Sequence, residues 1–286
     1  MRSRLPAARE QEIIEIAEAV AEYHCKGETV CPLKILKAEG IDHAVGAYGE
    51  KTFEGMLEFR NGRFFVYCNR DRENLPHLPR GRFTLSHELG HFFIPEHNLA
   101  LKNGTPKHQS ECGLFDGQNV AEELEADLFA ANLLMPPSRF KQEMAKRKNL
   151  SPLVAILELK DHFKTSILST AIQYAPNHSD VVAMMKWNGD ALAWKRVQDD
   201  YFLRHQYRRW KLDAPAGLPK ESATRAALDD LPGGDVSSPR ESILTANFCF
   251  HNVACAGSRD LIFREEAVRL GGHGVLTLLS LHPRFR

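Results

Sequence analysis

Near the N-terminus apolar residues recur three and four apart, at Ile13, Ile14, Ile16, Ala17, Val20 and Ala21. That spacing predicts an opening amphipathic helix. A short second helix is expected over "PLKILKAEG", with its end marked by Gly40. The period then shortens. In "FEGMLEFRNGRFFVYCN", aromatic and branched residues flank Asn61-Gly62, a pair suited to the positive φ of both positions in a tight hairpin turn. Strands are expected at Thr52–Phe59 and Arg63–Asn69. The helical period returns from Arg80 to Ile94 and is ended by Pro95. A long irregular stretch, "NLALKNGTPKHQSECGLFDGQN", separates this helix from a second strong one, "VAEELEADLFAANLLMPP", which Pro136 and Pro137 stop. Two further helices are expected across Pro137–Lys148 and Pro152–Ala175.

Beyond Pro176 the texture changes. "VVAMMKWNGDALAWKRV" predicts a second hairpin, turning at Asn188-Gly189. A stretch rich in turn residues follows, "PAGLPKESATRAALDDLPGGDVSSPRES", and strand-like runs return at "ILTANFCF" and "HGVLTLLSL". The expected fold is α+β: a helix-rich domain with a small twisted sheet over residues 1–176, then a smaller strand-rich domain over residues 177–286. The sequence shows neither an internal repeat nor a low-complexity tract.

Composition adds bounds rather than detail. The 286 residues suit one large domain or two ordinary ones, and 43% hydrophobic with 26% charged residues is usual for a soluble globular protein. Thirty-seven basic residues balance 37 acidic ones, so nothing argues for nucleic acid, membrane or polyanion binding as the main task. The first 25 residues have no continuous apolar core of a signal peptide, and no apolar run approaches the ~20 residues that span a bilayer. Six cysteines without a CxxC pair read as reduced thiols, which sets the expected location in the cytoplasm.

The chemistry concentrates in "TLSHELGHFFIPEH" (Thr84–His97), which contains His-Glu-x-x-His. Residues four apart on a helix share a face, so His87 and His91 can aim their imidazoles at one point. Glu88 sits about 100° round the helix from His87, beside the pair. A zinc ion held by such histidines lowers the pKa of its water toward ~7, and a neighbouring carboxylate can take the proton. The pattern on a helix is far more telling than its composition alone. A catalytic zinc needs a third protein ligand and an open position. His97 stands ten residues after His87, as in His-Glu-x-x-His-x-x-Gly-x-x-His. Ile94 occupies the glycine position, however, and Pro95 restricts it further, so His97 is expected to be a surface residue just past the helix. The other candidate is the next helix. Glu123 and Asp127 share a face there, beside an apolar stripe of Leu124, Leu128, Ala131 and Met135, and the small Ala126 and Ala130 allow close approach. Glu123 could supply an oxygen ligand and Asp127 could hold a ligand histidine; the plain alternative is a solvated acidic face.

"RGRFTLSHELGH" followed by "ELEADLFAANLLMP" resembles the ImmA/IrrE-type metallo-endopeptidases. Arg82, Phe83, Thr84, Leu85, His87, Glu88, Leu89, Gly90 and His91 match the first family motif. Glu123, Glu125, Ala126, Phe129, Ala130, Leu133, Leu134, Met135 and Pro136 match the second, with Asp127 where many relatives carry asparagine. The likeness covers roughly residues 10–175. It implies one catalytic zinc bound by His87, His91 and Glu123, with Glu88 as general base. It also implies a cytoplasmic protein substrate, a helix-turn-helix repressor or an antitoxin, in phage-related or stress regulation. A rival reading is a non-catalytic regulator that keeps the metal helix as structure and acts by binding a partner.

Other features carry less. Tyr67, His97 and His108 are candidate oxyanion donors by location. The strand Arg63–Asn69 offers an edge to an extended substrate or is an ordinary sheet strand. "LRHQYRRWK" (Leu203–Lys211) interleaves cations and aromatics but reads best as a solvated helix, and direct nucleic-acid binding is not expected. "DHFKTSILSTAIQYA" lacks a basic recognition helix and reads as scaffold. Trp187 and Trp194 are expected to pack across the second hairpin.

Overall fold

The computed structural model describes residues 5–50, 52–72, 74–104, 108–110, 120–189, 191–197, 209–210, 219–230, 238–245, 250–251 and 262–282. The chain divides into two compact units: Met1–Ala145 with Lys160–Ser166, and Lys146–Leu159 with Ile167–Arg286. The first is helix-rich with a small sheet and the second is built on a larger sheet, the α+β organisation expected from the hydrophobic pattern.

The first unit opens with α1 (Ala7–Cys25) and α2 (Pro32–Ala38). Then come β1 (Asp42–Gly46), β2 (Gly55–Arg60) and β3 (Arg63–Asn69). Asn61 and Gly62 both have positive φ, 52° and 78°, which closes the β2–β3 hairpin as their identity predicts. Strand β1, which the sequence pattern did not predict, pairs parallel with β3. The rest of this unit is α3 (Pro79–Phe93), α4 (Pro95–Lys102), β4 (His108–Ser110), α5 (Val120–Leu134) and α6 (Pro137–Lys146). Sheet order is β1-β3-β2-β4, with β4 antiparallel to Gly55–Leu57. The stretch expected to be irregular thus holds a helix and a short strand. Pro95 ends α3 but also opens α4, because the fixed φ of proline suits a helix's first turn.

One core joins these elements. Ile13, Ala17, Val20 and Ala21 of α1 meet Leu57, Phe64 and Val66 of the sheet, Leu85 and Leu89 of α3, and Phe129 and Leu133 of α5. The core stripe of α5 is Ala126, Phe129, Ala130 and Leu133. Of the stripe expected from sequence, Leu124, Leu128 and Ala131 are half-buried and Met135 is buried. Arg82 is buried and serves as scaffold: its guanidinium donates to the carbonyls of Val30 (2.6 Å) and Lys164 (3.0 Å). Burial lowers its pKa, but an arginine remains charged there.

The second unit contains most of α7 (Pro152–Phe163) and all of α8 (Ile167–Tyr174). One long helix was expected here; Lys164, at φ 54°, breaks it. Strands β5 (Val181–Asn188) and β6 (Ala191–Val197) form the second hairpin. Asn188 pairs with Ala191, so its turn falls one residue later than Asn188-Gly189. After β7 (Arg209–Trp210) comes α9 (Ala223–Leu228), a helix inside the stretch read as turns, started by Ser222 accepting from Arg225 N–H. Strands β8 (Arg240–Thr245), β9 (Phe250–His251), β10 (Ile262–Arg269) and β11 (Val275–Leu281) follow. The antiparallel five-stranded sheet has the order β6-β5-β11-β10-β8. Trp187 is fully buried and its indole N–H donates to Thr277 Oγ1 at 3.1 Å. Leu203–Lys211 lies outside the described residues apart from the two of β7. No helix among the described residues is long and apolar enough to cross a membrane.

Candidate metal centre

The site is made where α3 crosses α5, and Gly90 sets how close they come. A Cβ added at Gly90 would lie 3.1 Å from Ala126 Cα and 3.2 Å from Phe129. Only a glycine facing an alanine allows that approach, so the position just before His91 is a packing device. The crossing brings Glu123 of α5 over the shared face of His87 and His91.

His87, His91 and Glu123 each offer a ligand atom, and these atoms lie within 4.8 Å of one another. His87 Nε2 and His91 Nε2 are 3.2 Å apart, His87 Nε2 and Glu123 Oε2 are 3.3 Å apart, and His91 Nε2 lies 3.9 Å from Glu123 Oε1. Corners of a tetrahedron with ~2.1 Å bonds to N and O stand roughly 3.4 Å apart; two of these spacings fall near that value, and the third, made by the other Glu123 oxygen, is longer. The two histidines are buried, whereas the Glu123 side chain is 20% and the Asp127 side chain 49% exposed. The α5 side is therefore the one that opens to solvent.

Asp127 fixes the ligand tautomer. His87 Nδ1–H donates to Asp127 Oδ1 at 2.9 Å, so Nε2, facing Glu123, is the nitrogen that would give up its proton to a metal. Burial disfavours charge on His87, yet hydrogen bonds to Asp127 and Glu123 outweigh it and lift its pKa to about 10. The pocket calls for positive charge at this point, and a divalent metal offers it in place of the proton. Two nitrogens and a carboxylate oxygen, with a carboxylate behind one imidazole, are the donor set that zinc favours.

Glu88 is fully buried next to His87. Burial, with the charges of Glu88 and Glu54 adding to it, pushes the Cys68 thiol up to about 12. Cys68 Sγ donates to the Asn74 carbonyl at 2.8 Å on the strand beneath the helix.

His97 is not the surface residue expected. It sits on α4 and is buried, because Pro95 turns the chain into a new helix instead of releasing it to solvent. His97 Nε2–H donates to Glu125 Oε2 at 3.1 Å, and Arg9 grips the same carboxylate through Nε (2.9 Å) and Nη2 (2.7 Å). Sequence spacing missed this clamp, since nothing local ties Arg9 to a partner 116 residues away. Of the other oxyanion candidates, the Tyr67 hydroxyl donates to Glu58 at 3.3 Å, and the His108 side chain lies outside the described residues.

The M78 peptidase family model, described as the IrrE N-terminal-like domain, matches residues 73–173. No curated protein matches in sequence. A solved Mycobacterium tuberculosis transcriptional regulator is similar in fold, at 11% identity and a TM-score of 0.55, over 96% of this chain and 78% of that one. The matched segment begins just before α3 and ends within α8, and it includes both helices of the crossing. Over residues 73–173 the chain is thus similar to the IrrE N-terminal-like domain of the M78 peptidases, the family that its two helix motifs resemble.

Proposed function

We propose that this protein is a zinc-dependent endopeptidase that cleaves a separate cytoplasmic regulatory protein, a helix-turn-helix repressor or an antitoxin. The convergence of His87 Nε2, His91 Nε2 and a Glu123 oxygen, with Glu88 one residue along the same helix, carries the reading. His87, His91 and Glu123 would hold one zinc ion. When bound, that ion supplies Lewis acidity, which acidifies water and polarises a peptide carbonyl. Asp127 keeps the His87 imidazole in the ligating tautomer. Glu88 accepts the proton of the attacking water and later passes it to the leaving amine. Its low-polarity surroundings strengthen every charge interaction made there. The thiols of Cys25, Cys31 and Cys68 are unpaired with one another, in keeping with a reducing compartment. The second unit is proposed to serve sensing or substrate docking, with the functional boundary near residue 177.

The test is zinc content and cleavage of co-expressed helix-turn-helix repressors and antitoxins as candidate substrates. Wild type should carry one zinc per chain, and Glu123→Ala should lose it. Glu88→Gln should keep zinc and fold yet lose cleavage. A Glu88→Gln protein that still performs the regulatory task would favour the non-catalytic regulator.

A further inference from the structure

The three carboxylates of "ELEAD" divide their work. Glu123 and Asp127 lie four apart on α5 and face the two histidines of α3. Glu125 lies about 200° round the helix from Glu123 and points the other way. It is buried and binds Arg9 of α1 with both oxygens, while one of them also accepts from His97 of α4. Arg9 reaches Glu96 as well, at 3.1 Å, beside His97 on the same short helix. Three helices are thus tied at one carboxylate, and Arg9 supplies its counter-charge; the hydrogen bond to Glu125 is the main cause that raises the Arg9 pKa.

The clamp ends against the metal site. The His97 ring lies 4.9 Å from the His91 ring, tilted by 31°. His91 also meets His87, at 4.9 Å and 63°. The His91 imidazole is therefore in contact with two rings. A ligand imidazole has to keep its nitrogen on the ion to within a few tenths of an ångström, and rotation about χ2 is soft, so neighbouring rings decide where it rests.

We propose that His97 is a positioning residue: clamped by Glu125 and Arg9, its ring packs against His91 and fixes the orientation of that ligand. The inference rests on the metal-centre reading above. It assigns His97 neither metal ligation nor proton transfer, and it makes the N-terminal helix part of the site's frame.

The experiment measures Co²⁺ affinity, the visible spectrum of the Co²⁺-loaded protein and the melting temperature of the metal-free protein. It compares wild type, His97→Ala, His97→Phe, Glu125→Gln and Glu123→Ala. Loss of an outer partner to a metal ligand typically costs ~10–100-fold in affinity. His97→Ala is expected to weaken Co²⁺ binding by about that factor and to shift the visible bands. His97→Phe keeps a ring against His91 and should recover most of the affinity, and Glu125→Gln should fall between. Wild-type affinity and spectrum in His97→Ala would overturn the proposal. So would loss of binding as complete as in Glu123→Ala, which would make His97 a ligand. If His97→Ala does not fold, His97→Phe and Glu125→Gln decide: a wild-type spectrum in both sinks the idea, and a shift in Glu125→Gln supports it. Wild type that binds no Co²⁺ would remove the metal-centre reading itself, and this inference with it.

Discussion

At the scale of single residues, the donor set rests on one hydrogen bond that is easy to cut. Asp127→Ala frees His87 Nδ1, so the imidazole can turn and take the other tautomer. On the proposed zinc site, metal affinity is expected to fall ~10–100-fold, measured by competition with a chromophoric chelator. Asp127→Asn should fare better, because the amide oxygen still accepts from Nδ1–H. Glu88→Gln removes a proton acceptor without moving a ligand; on the proposed mechanism peptide cleavage falls by ~10²–10⁴-fold with zinc content unchanged, read in a single-turnover assay on metal-loaded protein. His87, Glu88 and His91 were legible as a group from spacing alone. Glu123 was legible only as one of two options, since a helix face tells which residues travel together and not which helix they will meet. The role of His97 was not legible: the local rule at Ile94-Pro95 gave the right backbone, extended at φ −74° and ψ 116°, yet said nothing of the helix that begins one residue later.

At the scale of elements, the crossing of α3 and α5 is the structure's sensitive joint. A larger residue at Gly90 must push against the Ala126 backbone at 3.1 Å and the buried Phe129 ring at 3.2 Å. Gly90→Val is expected to separate the helices and abolish stoichiometric metal binding while leaving far-UV circular dichroism near wild type. Phe129, fully buried on α5, should cost about 3–5 kcal/mol when cut to alanine, read from denaturant unfolding. The hairpins and the strong helices were legible because their periods differ and their turns carry Asn-Gly or proline. Strands β1, β4, β10 and β7, which lies in a stretch read as a solvated helix, were not. Strand β1 has an exposed pattern along its length and depends on pairing with β3, and β10 carries three consecutive charged residues, Arg264, Glu265 and Glu266, which only the fold explains.

At the scale of the whole molecule, the carboxylates of β10 show how the second unit is held. Glu265 accepts from Ser222, Thr224 and the Ala223 N–H, anchoring the start of α9 on one face of the sheet. Glu266 points to the opposite face and accepts from Ser151 and from Leu153 N–H (3.2 Å) at the start of α7. Ser151 and Leu153 lie in Lys146–Leu159, a segment of the second unit. Burial raises the Glu266 pKa above its ordinary value. Its folded value exceeds its unfolded one, so the stabilisation is complete below the unfolded pKa and is lost as pH rises through the folded one. Glu266→Gln should remove that loss and raise the melting temperature relative to wild type at pH 8, with little difference at pH 4.

The Arg9–Glu125 clamp spans 116 residues of chain. A ribosome adding ~5–20 residues per second therefore leaves the first helix without its anchor for roughly ten seconds. Glu123 emerges just before Glu125, so the frame of the site and its third ligand arrive together. On the reading proposed here the nascent chain would be no protease until that moment, and the clamp would close over the metal ligands as they are completed.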